Sequence, residues 1–572
     1  MHILGKSKFP SVFNLIIILV SSTYVGLFLH QVVRMYSPIP FWDDWSGYIN
    51  FYLEEKAGKA NFWSQYSEHR LVISRILTWI DFHLLDGLRW PILCIYFICI
   101  LFTWILILKI LFLKVNFISR TSRDRLFVMT LPVTLFLFSF IQYENFEFAM
   151  NAGFYCSLVL PLSGLYLQFY LYSKNYPRNT EIIFHVSAFL CFITAPLALA
   201  NGLIAPFIGA ISIYFMGKSL RGLFLYLASG SIIAYIYFWN YSSVTVHADP
   251  FESLIHHFPL VIKFSITLIG SPFVKLTNSY FLSAGIATVE VIVLLVATIK
   301  IFRSKYKTLN ERNLDIAIVL MAYFCLFSAT VTALGRVNFG NGQALASRYS
   351  SISLLFSSLI WLLLCEYFRR SSRSRRSQLI IFTTLLVITF FNSQIKERPY
   401  QALRNFQLNT SALAIQLGIE DKNIFASVFP NSATPFTLGG VMIKEHKTIL
   451  GSEIMRDWPR FIDQNDSSIS VAKCYGWIDQ IEPSVVDRYR KISGWYDSKK
   501  VTAGQYGLIR LIDKKDRIVG LAIHGAPRGD AADFLGSPNE NIGYVGFILN
   551  STEIDDIRIS NANIRCDRPL HR

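Results

Sequence analysis

Long uninterrupted apolar runs constrain this chain more than any other feature. Ser11–His30, Pro91–Leu113, Leu126–Ile141, Phe154–Tyr172, Phe281–Phe302, Leu314–Leu334 and Ser350–Glu366 are the clearest of them. A helix crosses a bilayer core in roughly 20 residues, and these runs approach or exceed that length. Of the 572 residues 53% are apolar and 16% charged, with a mean hydropathy of +0.40, which excludes an ordinary soluble protein. The first run follows Lys6 and Lys8 as a signal peptide would. It is longer than the usual apolar core of such a peptide and lacks a clear small-x-small cleavage site, so it reads as a retained span.

The formal net charge of +16 has a membrane explanation. Lys and Arg cluster at Lys114–Arg125, Lys174–Arg178, Lys218–Arg221, Lys300–Arg312 and Arg369–Arg376, between apolar runs. The positive-inside rule puts such loops on the cytoplasmic face. They lack the interleaved aromatics of a nucleic-acid surface, so no nucleic acid is expected as a partner. With the N-terminus inside, the alternation leaves 36–90, 142–151, 195–202, 241–258 and 335–348 outside. Leu260–Phe273 is short and broken by Gly270-Ser271-Pro272, and a full crossing there would put Lys300–Arg312 on the wrong face. It is predicted to be interfacial or re-entrant, which is tolerated where protein covers the backbone. The expectation is an α-helical polytopic membrane protein of about eleven spans, with everything after Phe391 outside.

Past Asn392 the long apolar runs stop and charge rises. The chain thus divides into a multi-span domain (1–392), a membrane-proximal linker or helical region (393–468) and a small β-rich domain (469–572). Ala402–Ile419 has the pattern of an amphipathic helix. Tyr506–Ile512, Arg517–Ile523 and Tyr544–Leu549 read as strands of a sandwich-like fold, between Gly, Asp, Pro and Asn turns. A short echo, Gly476-Trp477-Ile478-Asp479 and Gly494-Trp495-Tyr496-Asp497, is too brief for a repeat architecture. Six of the eight cysteines lie within apolar runs; Cys474 and Cys566 do not, and in an oxidising compartment they could pair.

The polar motifs fall in the external loops. Pro40-Phe41-Trp42-Asp43-Asp44-Trp45 sets adjacent carboxylates between tryptophans, and Ser67-Glu68-His69-Arg70 follows in the same loop. Carboxylates at the mouth of a membrane cavity suit a general base or a divalent ion; the plainer reading is a solvated turn. After Glu68, the spacing of Ile73, Leu77, Ile80 and Leu84 predicts an interfacial helix, with Glu68 and Arg75 sharing another face. Gln142-Tyr143-Glu144-Asn145-Phe146-Glu147 adds two carboxylates. Gly335-Arg336-Val337-Asn338 and Ser347-Arg348-Tyr349 put arginines outside, where they suit phosphate oxygens. His247, Asp249, Glu252, His256 and His257 share one loop without a recognised metal-ligand pattern.

The ordered series of Asp43-Asp44, Glu68-His69-Arg70, Gln142–Phe146, Ala200-Asn201-Gly202, Arg336 and Ser347-Arg348-Tyr349 resembles the bacterial GT-C superfamily of integral-membrane glycosyltransferases. The resemblance covers roughly the first 390 residues. It implies a GT-C-like fold in the bacterial inner membrane and an extracytoplasmic C-terminal domain. Its implied partners are a polyprenyl-phosphate-linked sugar donor and a cell-envelope glycan or lipid-linked acceptor. By position, Asp44 or Asp43 would be the base. Arg336 and Arg348, with Tyr349, would hold the donor phosphate, and Glu68, His69, Arg70 and Glu144 would line the cavity. Some members use a divalent metal; no further ligand set stands out here, so metal dependence stays open. Two other readings use the same loops: a transporter or flippase of lipid-linked glycans, which needs no base, and an envelope polysaccharide polymerase.

Overall fold

The computed structural model describes residues 12–116, 123–242, 250–303, 306, 308–369, 373–396, 398–483, 488–498, 500–561 and 563–572. Most of the chain is helical. We label the helices that build the bundle α1 (Val12–Met35), α2 (Val72–Leu84), α3 (Trp90–Asn116), α4 (Arg123–Leu137), α5 (Ala152–Leu171), α6 (Arg178–Thr194), α7 (Ala205–Gly217) and α8 (Leu220–Phe238). They continue as α9 (Phe258–Ile269), α10 (Ser271–Thr277), α11 (Tyr280–Arg303), α12 (Leu309–Arg336), α13 (Ser350–Arg369), α14 (Arg373–Lys396) and α15 (Arg398–Gln416). Among the described residues, ten helices are long and apolar enough to cross a membrane. Their outward faces expose large apolar side chains such as Leu19, Val33, Ile183, Phe224 and Val296. That is the surface expected of helices solvated by lipid rather than water.

Two segments fall outside this set. The α4 run, apolar over Leu126–Gln142, is short and contains Pro132, yet it threads the bundle among α1, α3, α13 and α14. Its neighbours bury it almost completely along Val128–Gln142, so its shortness is met by protein, not lipid. The α9–α10 pair bends by 62° at Gly270. Thr267 accepts a hydrogen bond from Asn341, the Leu268 carbonyl one from Ser353, and Lys275 donates to the Ile141 carbonyl. Asn341, Ser353 and Ile141 all lie near one end of the bundle. The bent pair therefore keeps to that end, and α11 starts there and runs to the other.

The strands after the helical region form one sheet, not two packed sheets. These are β1 (Ser470–Ala472), β2 (Tyr475–Pro483), β3 (Tyr489–Asp497), β4 (Leu508–Ile512), β5 (Ile518–Ala526), β6 (Gly543–Leu549), β7 (Arg558–Ser560) and β8 (Ile564–Cys566). The order is β1-β8-β7-β4-β5-β6-β3-β2, antiparallel except for β1 with β8. Consecutive β1 and β2 are thus opposite edges, which in a flat eight-stranded sheet would lie about 34 Å apart. Two residues join them, so the sheet curls until its edges meet. The His571 N–H donates to the Gly476 carbonyl, the Ile478 N–H donates to the His571 carbonyl, and the Cys474–Cys566 disulfide ties the same seam. Gly546 lets strands approach at the curl, because a Cβ there would stand 2.3 Å from the Leu521 carbonyl oxygen.

Alternation along these strands serves two cores. Ile492, Tyr496, Ile509, Leu511, Ala522, Tyr544 and Ile548 fill the inside of the curl. Leu521, Ile523 and Phe547 point the other way, into a core shared with Leu408 and Leu413 of α15 and with Trp45, Tyr48 and Ile49 of the first loop. Burial on both faces explains why Ile518–Ile523 reads as an unbroken apolar run. The 393–468 region is helical and packs the sheet onto the loop that carries the acidic pair.

Candidate functional site

One cavity of about 1010 Å³ gathers most of the polar motifs. It is lined from Asp43 after α1, Glu68 and His69 before α2, Glu144 and Glu147 after α4, and Asn201 between α6 and α7. Tyr237 ends α8, Arg336 ends α12, Arg348 and Tyr349 precede α13, and Tyr400 follows α14. Every one of these helix ends is therefore on one face of the bundle. Seven of the residues expected to act together from sequence (Asp43, Glu68, His69, Glu144, Arg336, Arg348 and Tyr349) meet there.

The acidic pair is split. Trp42 takes a left-handed φ of 47°, and its N–H donates to the Val428 carbonyl at 3.0 Å. That turn leaves Asp43 exposed on the cavity wall, where the Tyr66 phenol donates to Oδ1 at 3.2 Å. Asp44 points the other way and is fully buried. It pairs with Arg89 at 2.7 Å and accepts the N–H groups of Ala149 at 2.7 Å and Phe41 at 3.3 Å. Burial pushes its carboxyl above the ordinary range despite Arg89. Asp44 thus anchors the loop and is not among the residues that line the cavity.

Arg70 also departs from expectation. Its Nε, Nη1 and Nη2 donate to the carbonyls of Tyr237, Trp63 and Trp239, each at 2.6 Å. It staples the first loop to the end of α8 and has no face on the cavity. Arg75 behaves likewise, donating to the carbonyls of Asn61 and Phe62 at 3.1 Å and to that of Ser64, instead of sharing a face with Glu68. On α2 the buried side is largely polar, with Ser74, Arg75, Thr78 and Asp81, whereas Ile76, Trp79 and Leu84 are exposed. Of the expected apolar stripe, Leu77 is buried, Ile73 and Ile80 are half-buried and only Leu84 is exposed, so the stripe lies along the flank of the helix and not on its buried side.

The two arginines that do line the cavity are each held by a glutamate. Arg336 pairs with Glu68, which also lies 3.5 Å from His69 Nε2. The Arg348 N–H donates to Glu144 Oε2 at 3.2 Å, and its Nη1 reaches the same oxygen at 3.5 Å. A guanidinium has five N–H donors, so an arginine on the lining suits an anion in the cavity. Asn201 is set by an unusually close turn. A Cβ on the next residue, Gly202, would stand 2.2 Å from the Ala195 carbonyl oxygen, so only glycine fits there.

Beneath the cavity lies a network that no local motif signals. Arg89 bridges Asp44 and the Glu147 carbonyl, and its N–H donates to Asp81 Oδ2 at 2.6 Å. Asp81 also accepts the Tyr48 phenol, and burial raises its carboxyl to about 6. Glu147 lines the cavity and pairs with Arg404 of α15 at 2.7 Å, both side chains being buried. Burial outweighs that partner and lifts Glu147 to about 7. The pairing spans more than 250 positions, so nothing in the local sequence points to it.

Of the loop after α8, His247 and Asp249 lie outside the described residues. Glu252 and His256 sit on the helix Pro250–His256, away from the cavity lining. Among the described residues no group of three His, Cys, Asp or Glu side chains is arranged to hold a metal ion. No family model, no curated protein and no solved structure matches this chain.

Proposed function

We propose that this protein is an integral-membrane glycosyltransferase that takes a sugar from a polyprenyl-phosphate carrier on the outer face of the membrane. The carrying observation is the pairing, in one large cavity, of a carboxylate held by a phenol (Asp43) with two glutamate-braced arginines (Arg336, Arg348). Taking α4 as a crossing beside the ten long apolar helices, and the bent pair as re-entrant, gives eleven spans in this reading, which supports the orientation. They gather Lys174, Arg178, Lys218, Arg221, Lys300, Arg303 and Arg312 at the ends remote from the cavity, as a cytoplasmic face requires. The Cys474–Cys566 disulfide suits an oxidising outer compartment.

In this reading the acceptor hydroxyl loses its proton to Asp43 as its oxygen bonds to the anomeric carbon. The bond from that carbon to the phosphate oxygen breaks, and the electron pair leaves with the polyprenyl phosphate. Arg336 and Arg348 stabilise the charge that grows on it. A displacement from the face opposite the phosphate inverts the anomeric centre. The acceptor is a cell-envelope glycan or its lipid-linked precursor. The apolar part of the lining, Phe154, Leu199, Val331, Leu334 and Ile352, suits the carrier's hydrocarbon.

Mass analysis of envelope glycans from cells with and without the protein tests this reading. Loss of one sugar mass on deletion is the expected result and names the donor sugar. Identical glycans in both strains would count against any transferase role.

A further inference from the structure

The cavity is not built by the membrane bundle alone. The segment just after the last long helix supplies Tyr400 to the lining, its ring 4.7 Å from that of Tyr143. One turn further along α15, Arg404 reaches in below the lining. Its guanidinium pairs with Glu147 at 2.7 Å and its Cζ lies over Phe41, 3.6 Å from the ring centroid. Phe41 in turn stacks on Phe148 with ring centroids 5.4 Å apart and planes within 7°. Two residues on is Asp43.

The other side of the same peptide is held from the same region. Val428, beyond α15, accepts the Trp42 N–H at 3.0 Å. Trp42 sits in the left-handed region, which a bulky residue adopts only under constraint. Phe41-Trp42-Asp43 is therefore gripped between a guanidinium on one residue and a backbone acceptor on the next. Both grips come from the region that docks the curled sheet. A cation over an aromatic face is strongest when both are desolvated, as Arg404 and Phe41 are here.

We propose that Arg404 is a positioning residue for Asp43, acting through the ring of Phe41, so that the docked C-terminal region sets the aim of the cavity carboxylate. Its link to catalysis rests on the glycosyltransferase reading; its link to the geometry of the loop does not. Neither Arg404 nor Phe41 needs to touch substrate. The expected signature is loss of turnover with substrate binding retained, because misplacing a reacting group by about 1 Å costs on the order of a hundredfold in rate.

The test uses the full chain in nanodiscs, comparing wild type with Arg404→Ala, Arg404→Lys and Phe41→Leu. Hydrogen exchange across residues 38–46 reads the loop directly and needs no activity. Arg404→Ala should speed exchange there and lower kcat, leaving the donor KM near wild type. Arg404→Lys keeps a positive charge for Glu147 but not the guanidinium over the Phe41 ring, and should restore only part of kcat. If Arg404→Ala does not fold, Phe41→Leu, which spares the buried ion pair, carries the same expectation. Unchanged exchange at 38–46 in a folded Arg404→Ala or Phe41→Leu protein overturns the proposal. Absence of any glycosyl transfer by the wild type would sink the proposed function, and the exchange data would still decide the positioning claim.

Discussion

The two ends of the bundle carry charge of the same kinds and use it differently. At the end remote from the cavity, Lys114 pairs with Asp315, and Lys300 pairs with Glu366 and lies 3.8 Å from Asp315 Oδ2. Two lysines meet two carboxylates there. At the other end, four carboxylates and two arginines face about 1010 Å³ of open space. The closed set holds helix ends together. The open set puts Asp43, Glu68, Arg336 and Arg348 where a bound molecule could reach them. A buried ion pair is weak evidence of function, and charge that lines a cleft is a better place to look for it.

The sharpest way to break that contrast is within the acidic pair itself. Asp43→Asn should cut transfer by roughly 10²–10⁴-fold, the usual worth of a positioned base, and leave folding unchanged. Next in size, Arg89→Met strands Asp44 in the interior. It should cost about 3–5 kcal/mol, the penalty for an uncompensated buried charge, read as a lowered melting temperature in detergent. A large stability loss from Asp43→Asn, or none from Arg89→Met, would reverse the two roles.

Sequence alone could not have told Asp43 from Asp44. They are neighbours of one type, and the choice depends on a left-handed Trp42 fixed by Val428, 386 positions away. The same holds for Arg70, whose three carbonyl partners come from Trp63 and the end of α8. What was legible were features written locally: the apolar runs, the basic loops between them, and the break at Gly270. The strand runs were legible too, but not their arrangement, since closure of one curled sheet depends on edges brought together by a two-residue link. The Gly-Trp echo turned out to pair with itself, Trp477 standing opposite Trp495 across β2 and β3. Arg89, Asp81 and Arg404 stayed invisible because their meaning lies in partners from distant elements.

A third prediction concerns the seam of the sheet. Replacing Cys474 and Cys566 with Ser should destabilise the C-terminal domain by about 2–4 kcal/mol. Protease sensitivity of that domain in the purified full-length protein checks it, and a pair of reduced thiols in the wild type would contradict it. A smaller effect follows from the buried acids beneath the cavity. Glu147 and Asp81 titrate at about 7 and about 6 when folded, against ordinary values of 4.5 and 3.8. Between those values the folded chain holds more protons than the unfolded one, so stability falls as pH rises. The loss runs from about 4 to 6 for Asp81 and from about 4.5 to 7 for Glu147. Melting temperature should therefore drop between pH 5 and pH 7.5, and drop less in Asp81→Asn. Smallest of all, Glu68→Gln should loosen Arg336 and raise the donor KM by roughly tenfold or less, in keeping with loss of one partly exposed ion pair.

The most direct test compares envelope glycans by mass from cells carrying wild type and Asp43→Asn, each expressed to the same level and folded to the same melting temperature. The account predicts that the wild-type strain carries one added sugar mass and the Asp43→Asn strain lacks it. Full modification by folded Asp43→Asn protein would contradict the assignment of this cavity as the site of transfer.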